Sequence, residues 1–115
     1  MRAAYANQGQ ICLCGSRILV QRSIYEEFRD ELVSRIEGLR VGDPLDRDTQ
    51  QGAVVSATHF DSIVDRIRVA REEGGKILCG GRPAVPGSPR CEAGWFIEPT
   101  LIEGLGPHCS TNQEE

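Results

Sequence analysis

The chain has 115 residues, with 13 basic against 17 acidic side chains, a formal net charge of −4 and only 5% aromatics. An acidic balance without a basic run, and too few rings to stack bases, exclude nucleic acid as the main partner. That length suits one small domain, and 39% apolar residues together with 13 Gly argue against a disordered chain. No stretch reaches the roughly 20 apolar residues that span a bilayer. The opening Met1–Tyr5 runs into the polar Asn7-Gln8-Gly9-Gln10, which is no signal-peptide core. Five cysteines are an odd number without a secretory signal, so they read as reduced thiols and the expected location is cytoplasmic.

Ile18-Leu19-Val20-Gln21 is a short β-branched run that reads as a buried strand. Ser23 with Glu26 three residues later has the pattern of a capping box. Ile24, Tyr25, Phe28, Leu32, Ile36 and Leu39 follow at spacings of three and four, an amphipathic helix that Gly38, Gly42 and Asp43-Pro44 bring to an end. Ser56 can cap a second helix, whose stripe is Phe60, Ile63, Val64, Ile67 and Ala70 and whose stop is Gly74-Gly75. Lys76–Cys79 predicts a second strand, closed by Gly80-Gly81. Three prolines and two glycines between Pro83 and Gly94 predict a surface loop. Trp95–Ile102 is a third extended segment, which Pro99 confines to an edge or a bend. From Gly104 to Glu115 the tail is polar, without cap or apolar anchor.

The order is strand, helix, helix, strand, loop, strand, which predicts an α/β fold with parallel pairing. A parallel sheet wants cover on both faces, and two amphipathic helices supply little more than one. As an independent domain the pattern is incomplete.

The stretch richest in chemistry is Asn7-Gln8-Gly9-Gln10-Ile11-Cys12-Leu13-Cys14-Gly15-Ser16-Arg17. A thiol on a polar, Gly-containing turn can have its thiolate favoured by exposed N–H groups. The same N–H groups can stabilise an oxyanion formed when that thiolate attacks a carbonyl. Cys12 and Cys14 also have the plainer reading of small buried hydrophobes.

Asn7–Cys12, followed by Gly15-Ser16-Arg17 and the Ile18–Gln21 run, resembles the active-site cysteine signature of the aldehyde dehydrogenase superfamily. The resemblance continues in order through Ser23–Phe28, Val41–Leu45, Gln51-Gly52, Gly94–Thr100 and the terminal Glu114-Glu115. Asn-Gln-Gly-Gln-Ile-Cys-Leu-Cys is most similar to muconic semialdehyde dehydrogenases. The resemblance implies a partial aldehyde dehydrogenase catalytic domain over residues 1–115, acting on a small aldehyde with NAD or NADP. Cys12 would be the nucleophile, passing through a thiohemiacetal and a thioester, with its own N–H as one oxyanion donor. Ile11 and Leu13 would shape the substrate tunnel, or simply pack against the neighbouring loop. Glu115 would hold the cofactor's nicotinamide ribose, and His59 would lie near the cofactor. Their alternatives are a fraying end and a solvated surface histidine.

The resemblance also says what to expect elsewhere. A Rossmann-type cofactor domain, the general base, an Asn oxyanion donor and the oligomerisation strands of this homo-oligomeric family match nothing here. Gly104-Leu105-Gly106-Pro107 lacks the strand-to-helix setting of a phosphate loop. The cofactor site is therefore expected largely outside this chain, and the isolated chain is expected not to turn over. The competing reading is a non-catalytic remnant or interaction polypeptide that keeps part of the fold. Zinc is not expected: the cysteines and histidines have no Cys-x-x-Cys pair, and His108-Cys109 is too tight for finger spacing. Nor is a membrane partner.

Overall fold

The computed structural model describes residues 2–114. Among these residues four α-helices, α1 (Arg2–Tyr5), α2 (Tyr25–Glu37), α3 (Ala57–Glu72) and α4 (Ser110–Gln113), accompany two strands, β1 (Lys76–Cys79) and β2 (Leu101–Glu103). The α/β layering follows from one face of α2. Leu32 and Ile36, one turn apart, bury against Cys79 of β1, with Tyr5, Val33 and Leu101 packed around them. This cluster forms a hydrophobic core between α2 and the sheet.

Two expectations about strands change. Ile18–Gln21 is not a strand: Leu19 is 97% and Ile18 42% exposed. The run has strand composition, but no described strand lies beside it to take its backbone hydrogen bonds. Pairing is antiparallel and not parallel, with Lys76 opposite Glu103, Ile77 opposite Ile102 and Cys79 opposite Leu101. Parallel pairing needs a crossover between the paired strands. Here both long helices precede β1, and the segment joining β1 to β2 doubles back on itself through an antiparallel bridge, Pro83 to Ile97. Gly80, at φ +69° where the ladder turns irregular after β1, lies so close to Pro99 that a Cβ would stand 2.3 Å from its carbonyl oxygen. Pro99 itself keeps the third extended segment to an isolated bridge until Leu101.

The helix ends differ in how they form. Ser56 caps α3 as expected, its Oγ accepting the His59 N–H at 3.1 Å. Ser23 does not cap α2. The chain enters through a 3-10 turn, Arg22–Ile24, which places Ile24 at the cap position with no side-chain bond. Glu26 and Glu27 in the first turn still complement the helix dipole.

The polar tail is anchored. Glu73, just past the end of α3, accepts from the Ser110 N–H (2.6 Å), the Thr111 N–H (3.1 Å) and the Thr111 hydroxyl (2.6 Å). Asn112 donates to Gly106 O at 2.9 Å, and Arg66 pairs with Glu114 at 2.6 Å. A carboxylate has thus replaced the missing apolar anchor. The Pro-rich loop also holds more structure than its composition suggests: Pro89–Cys91 is a 3-10 turn, Cys91 is buried, and the Ser88 hydroxyl donates to Asp43 at 2.9 Å.

Candidate active site

The cysteine loop begins where α1 ends. Ala6–Gly9 is a tight turn in which Asn7 (φ 49°) and Gln8 (φ 58°) take left-handed backbone ahead of Gly9 (φ 77°). Such a conformation costs a glutamine of order 1–3 kcal/mol and persists where its surroundings enforce it. The enforcing bonds reach in from three directions. Buried Gln51 donates its amide to Tyr5 O at 2.8 Å. Gln10 accepts the Val55 N–H at 2.9 Å, and the Gly15 N–H donates to Ala3 O at 2.7 Å. Tyr5, whose phenol donates to Thr100 O at 3.0 Å, fastens the whole arm to the approach of β2. Burial pushes that phenol far above its ordinary pKa, so it stays a donor.

Between these ties, the Cys14 N–H donates to Ile11 O at 2.8 Å and closes a turn with Cys12 and Leu13 at its centre. Cys12 is exposed and Cys14 half-buried, its Sγ 3.5 Å from Ala6 O. Among the described residues no carbonyl takes the Cys12 N–H. The loop therefore offers a thiol and a donor from one residue, held from both sides.

The other residues singled out in the sequence are placed less closely. Ile11 is 39% and Leu13 87% exposed, so both flank Cys12 with open faces. His59 sits in the first turn of α3, which the Gln10–Val55 bond ties to the cysteine loop. No hydrogen bond joins its ring to Cys12 among the described residues. Glu115 lies outside the described residues; its neighbour Glu114 is held by Arg66. Gln10, Gln51 and Glu73 emerge as supports that sequence reasoning did not assign. A glutamine beside a glycine, as in Gln51-Gly52, was the only available signal for one of them.

An apolar cleft of about 630 Å³ lies elsewhere, between the Gly15–Val20 segment, α2 and β2, and neither Cys12 nor His59 lines it. Gly104–Pro107 does run from β2 to α4, contrary to the expectation that it lacks a strand-to-helix setting, but α4 is a single turn whose Ser110 and Thr111 N–H groups donate to Glu73. Gly80 and Gly81 follow a strand, but both are left-handed and lead into the Pro83 bridge instead of a helix N-terminus. Nor do three or more His, Cys, Asp and Glu side chains converge as for a metal among the described residues. No described helix is long and apolar enough to cross a membrane.

The family model described as the aldehyde dehydrogenase family matches residues 1–115. The chain belongs to the aldehyde dehydrogenase family. 4-Trimethylaminobutyraldehyde dehydrogenase A of Danio rerio is 36% identical over 115 residues, covering 100% of this chain and 23% of its own length. 2-Aminomuconic semialdehyde dehydrogenase of Bos taurus is 42% identical over 116 residues, covering 100% of this chain and 24% of its own. The fold matches betaine aldehyde dehydrogenase of Staphylococcus aureus, solved in complex with NAD+, with a TM-score of 0.90 and 37% identity over 99% of this chain and 22% of that one. The chain thus spans about a quarter of the length of the relatives it matches.

Proposed function

We propose that residues 1–115 form part of a catalytic domain that oxidises an aldehyde to a carboxylic acid, with Cys12 as its nucleophile. The observation that supports this most is the pinned turn, which exposes the Cys12 thiol beside its own unengaged N–H. The Cys12 thiolate adds to the carbonyl carbon, and the oxygen that gains charge in the resulting thiohemiacetal accepts from that N–H. Sulfur suits the sequence of events because it later departs as a thiolate, when water cleaves the thioester and frees the acid. Ile11 and Leu13 border the substrate's path. NAD or NADP, when bound, supplies the hydride acceptor. Most contacts to it belong outside this segment, whose own contributions are His59 and Glu115. A small aldehyde is the substrate class; the likeness to 2-aminomuconic semialdehyde dehydrogenase favours a semialdehyde. The reading places the protein in the cytoplasm.

The test is protection of one thiol. Adding aldehyde to the 115-residue chain is expected to slow alkylation of Cys12 saturably, leaving Cys14 and Cys109 unaffected, while NAD+ reduction stays at background. Cys12 alkylation independent of aldehyde at every concentration overturns the nucleophile assignment.

A further inference from the structure

Two thiols share the turn that carries the proposed nucleophile. The Cα atoms of Cys12 and Cys14 are separated by two virtual bonds of about 3.8 Å each, and a closed turn folds that span to about 5–6 Å. This falls inside the window of about 4.4–6.8 Å that a disulfide bridges. The Cys14–Ile11 hydrogen bond of 2.8 Å supplies the closure. Leu13, between the two, is 87% exposed and packs against little, so the turn can adjust without disturbing a core. In the reduced chain the Cys14 Sγ spends its weak S–H on Ala6 O at 3.5 Å, a contact that one rotation about χ1 gives up. The remaining thiols are placed differently: Cys79 and Cys91 are buried, and Cys109 stands at the head of the tail helix α4. Burial pushes the Cys79 thiol up, away from thiolate character.

We propose that Cys14 is the resolving thiol of Cys12, so that oxidation by a hydroperoxide stores the nucleophile as a Cys12–Cys14 disulfide. The Cys12 thiolate attacks the O–O bond of the peroxide, forming Cys12 sulfenic acid and releasing water or an alcohol once the leaving oxygen takes a proton. The Cys14 thiolate then attacks the sulfenic sulfur, the S–S bond forms, and hydroxide leaves to become water with the proton Cys14 has lost. Two thiols lose two electrons and the peroxide gains them. The ties Gln10–Val55 and Gly15–Ala3 lie outside the turn, so the change stays within it. An exposed cysteine without a neighbour goes on to sulfinic acid, which thiols do not reverse; this pair stops one step earlier and is reset by a dithiol. The proposal needs Cys12 to be accessible and does not need it to attack aldehydes.

Cleavage after Arg2 and Arg17 isolates residues 3–17, which contain Cys12 and Cys14 and no other cysteine. After limited hydrogen peroxide, this peptide from the folded chain is expected to lose two hydrogens and to regain them with dithiothreitol. Cys14→Ser and Cys14→Ala, treated alike, are expected to add two oxygens at Cys12 irreversibly and to lose alkylatable Cys12 several-fold faster than the wild type. Two variants separate loss of the thiol from loss of the contact with Ala6. Wild-type Cys12 that gains two oxygens as fast as either variant overturns the proposal, as does a disulfide from Cys12 to Cys79, Cys91 or Cys109. Aldehyde protection of the reduced chain is read separately, so either proposal can fail alone.

Discussion

Gly80 shows how much a single position constrains this chain. It combines φ +69° with a backbone approach so close that an added Cβ would stand 2.3 Å from Pro99 O and 2.9 Å from the Thr100 hydroxyl. Gly87, in the Pro-rich loop, has nothing within 4 Å and no left-handed backbone. Gly80→Ala is therefore expected to cost more than the roughly 1–3 kcal/mol of a strained backbone alone, while Gly87→Ala stays within about 0.5 kcal/mol. Urea titration of the pair checks this, and equal midpoints refute the reading of Gly80. Gln51 is a second such residue. It is 6% exposed and donates to Tyr5 O at 2.8 Å, so Gln51→Ala orphans a carbonyl and is expected to cost about 1–3 kcal/mol. Because that bond pins the arm carrying the cysteine loop, the same variant is also expected to change the alkylation rate of Cys12. A rate equal to the wild type's would separate the loop from its supposed support. Cys12 could be singled out in the sequence because its neighbours Asn7–Gln10 form a recognisable signature. Gln51 could not, because a buried side-chain amide looks in sequence like any surface glutamine.

At the scale of elements, what could be read depended on whether the cause was local. α3 was legible from end to end: Ser56 caps it, Ile67 and Ala70 bury, and Gly74 at φ +91° stops the chain beyond it. Ser56→Ala is expected to cost about 1 kcal/mol, seen as a lower denaturation midpoint. The Ile18–Gln21 strand failed for a nonlocal reason, since a strand exists only with a partner to bond, and composition does not supply one. The tail failed for another. Its anchor is Glu73, some 37 residues away from Ser110 in the chain. The Thr111 hydroxyl and the Ser110 and Thr111 N–H groups hold the Glu73 carboxyl down to about 2 from its ordinary 4.5. A depressed carboxylate stabilises the fold at every pH above its unfolded value and loses that contribution as pH falls toward its folded value. The clamp is thus complete above about pH 5 and fades between there and pH 2. Thermal midpoints of wild type and Glu73→Gln are expected to differ at neutral pH and converge as the pH drops through that window. A difference that stays constant down to pH 2 would mean the clamp contributes nothing.

For the whole molecule the decisive quantity is surface. The chain exposes 8027 Å², whereas a compact monomer of this mass exposes about 6,200 Å². Its radius of gyration is 14.4 Å, against about 13 Å for a compact domain of this length. Large apolar side chains contribute to this surface: Leu19 is 97% exposed, Val85 92%, Leu13 87% and Val55 79%. The two-stranded sheet adds to it, since two strands bury too little to stand independently. The thin run of strands thus goes with apolar surface left uncovered in this fold. Alone in solution, such a chain gains by covering that surface with a second copy. Sedimentation of the 115-residue chain is expected to show concentration-dependent association. Leu19→Lys, which puts a charge on the apolar run beside the cleft and touches no buried contact, is expected to weaken it. Because Leu19 is almost fully exposed in the monomer, the same change is expected to leave the denaturation midpoint of dilute protein within about 0.5 kcal/mol. Association unaltered by Leu19→Lys would move the sticky surface elsewhere, to Val55 and Val85. A chain that stays monomeric at all concentrations would show that the excess surface is tolerated in water.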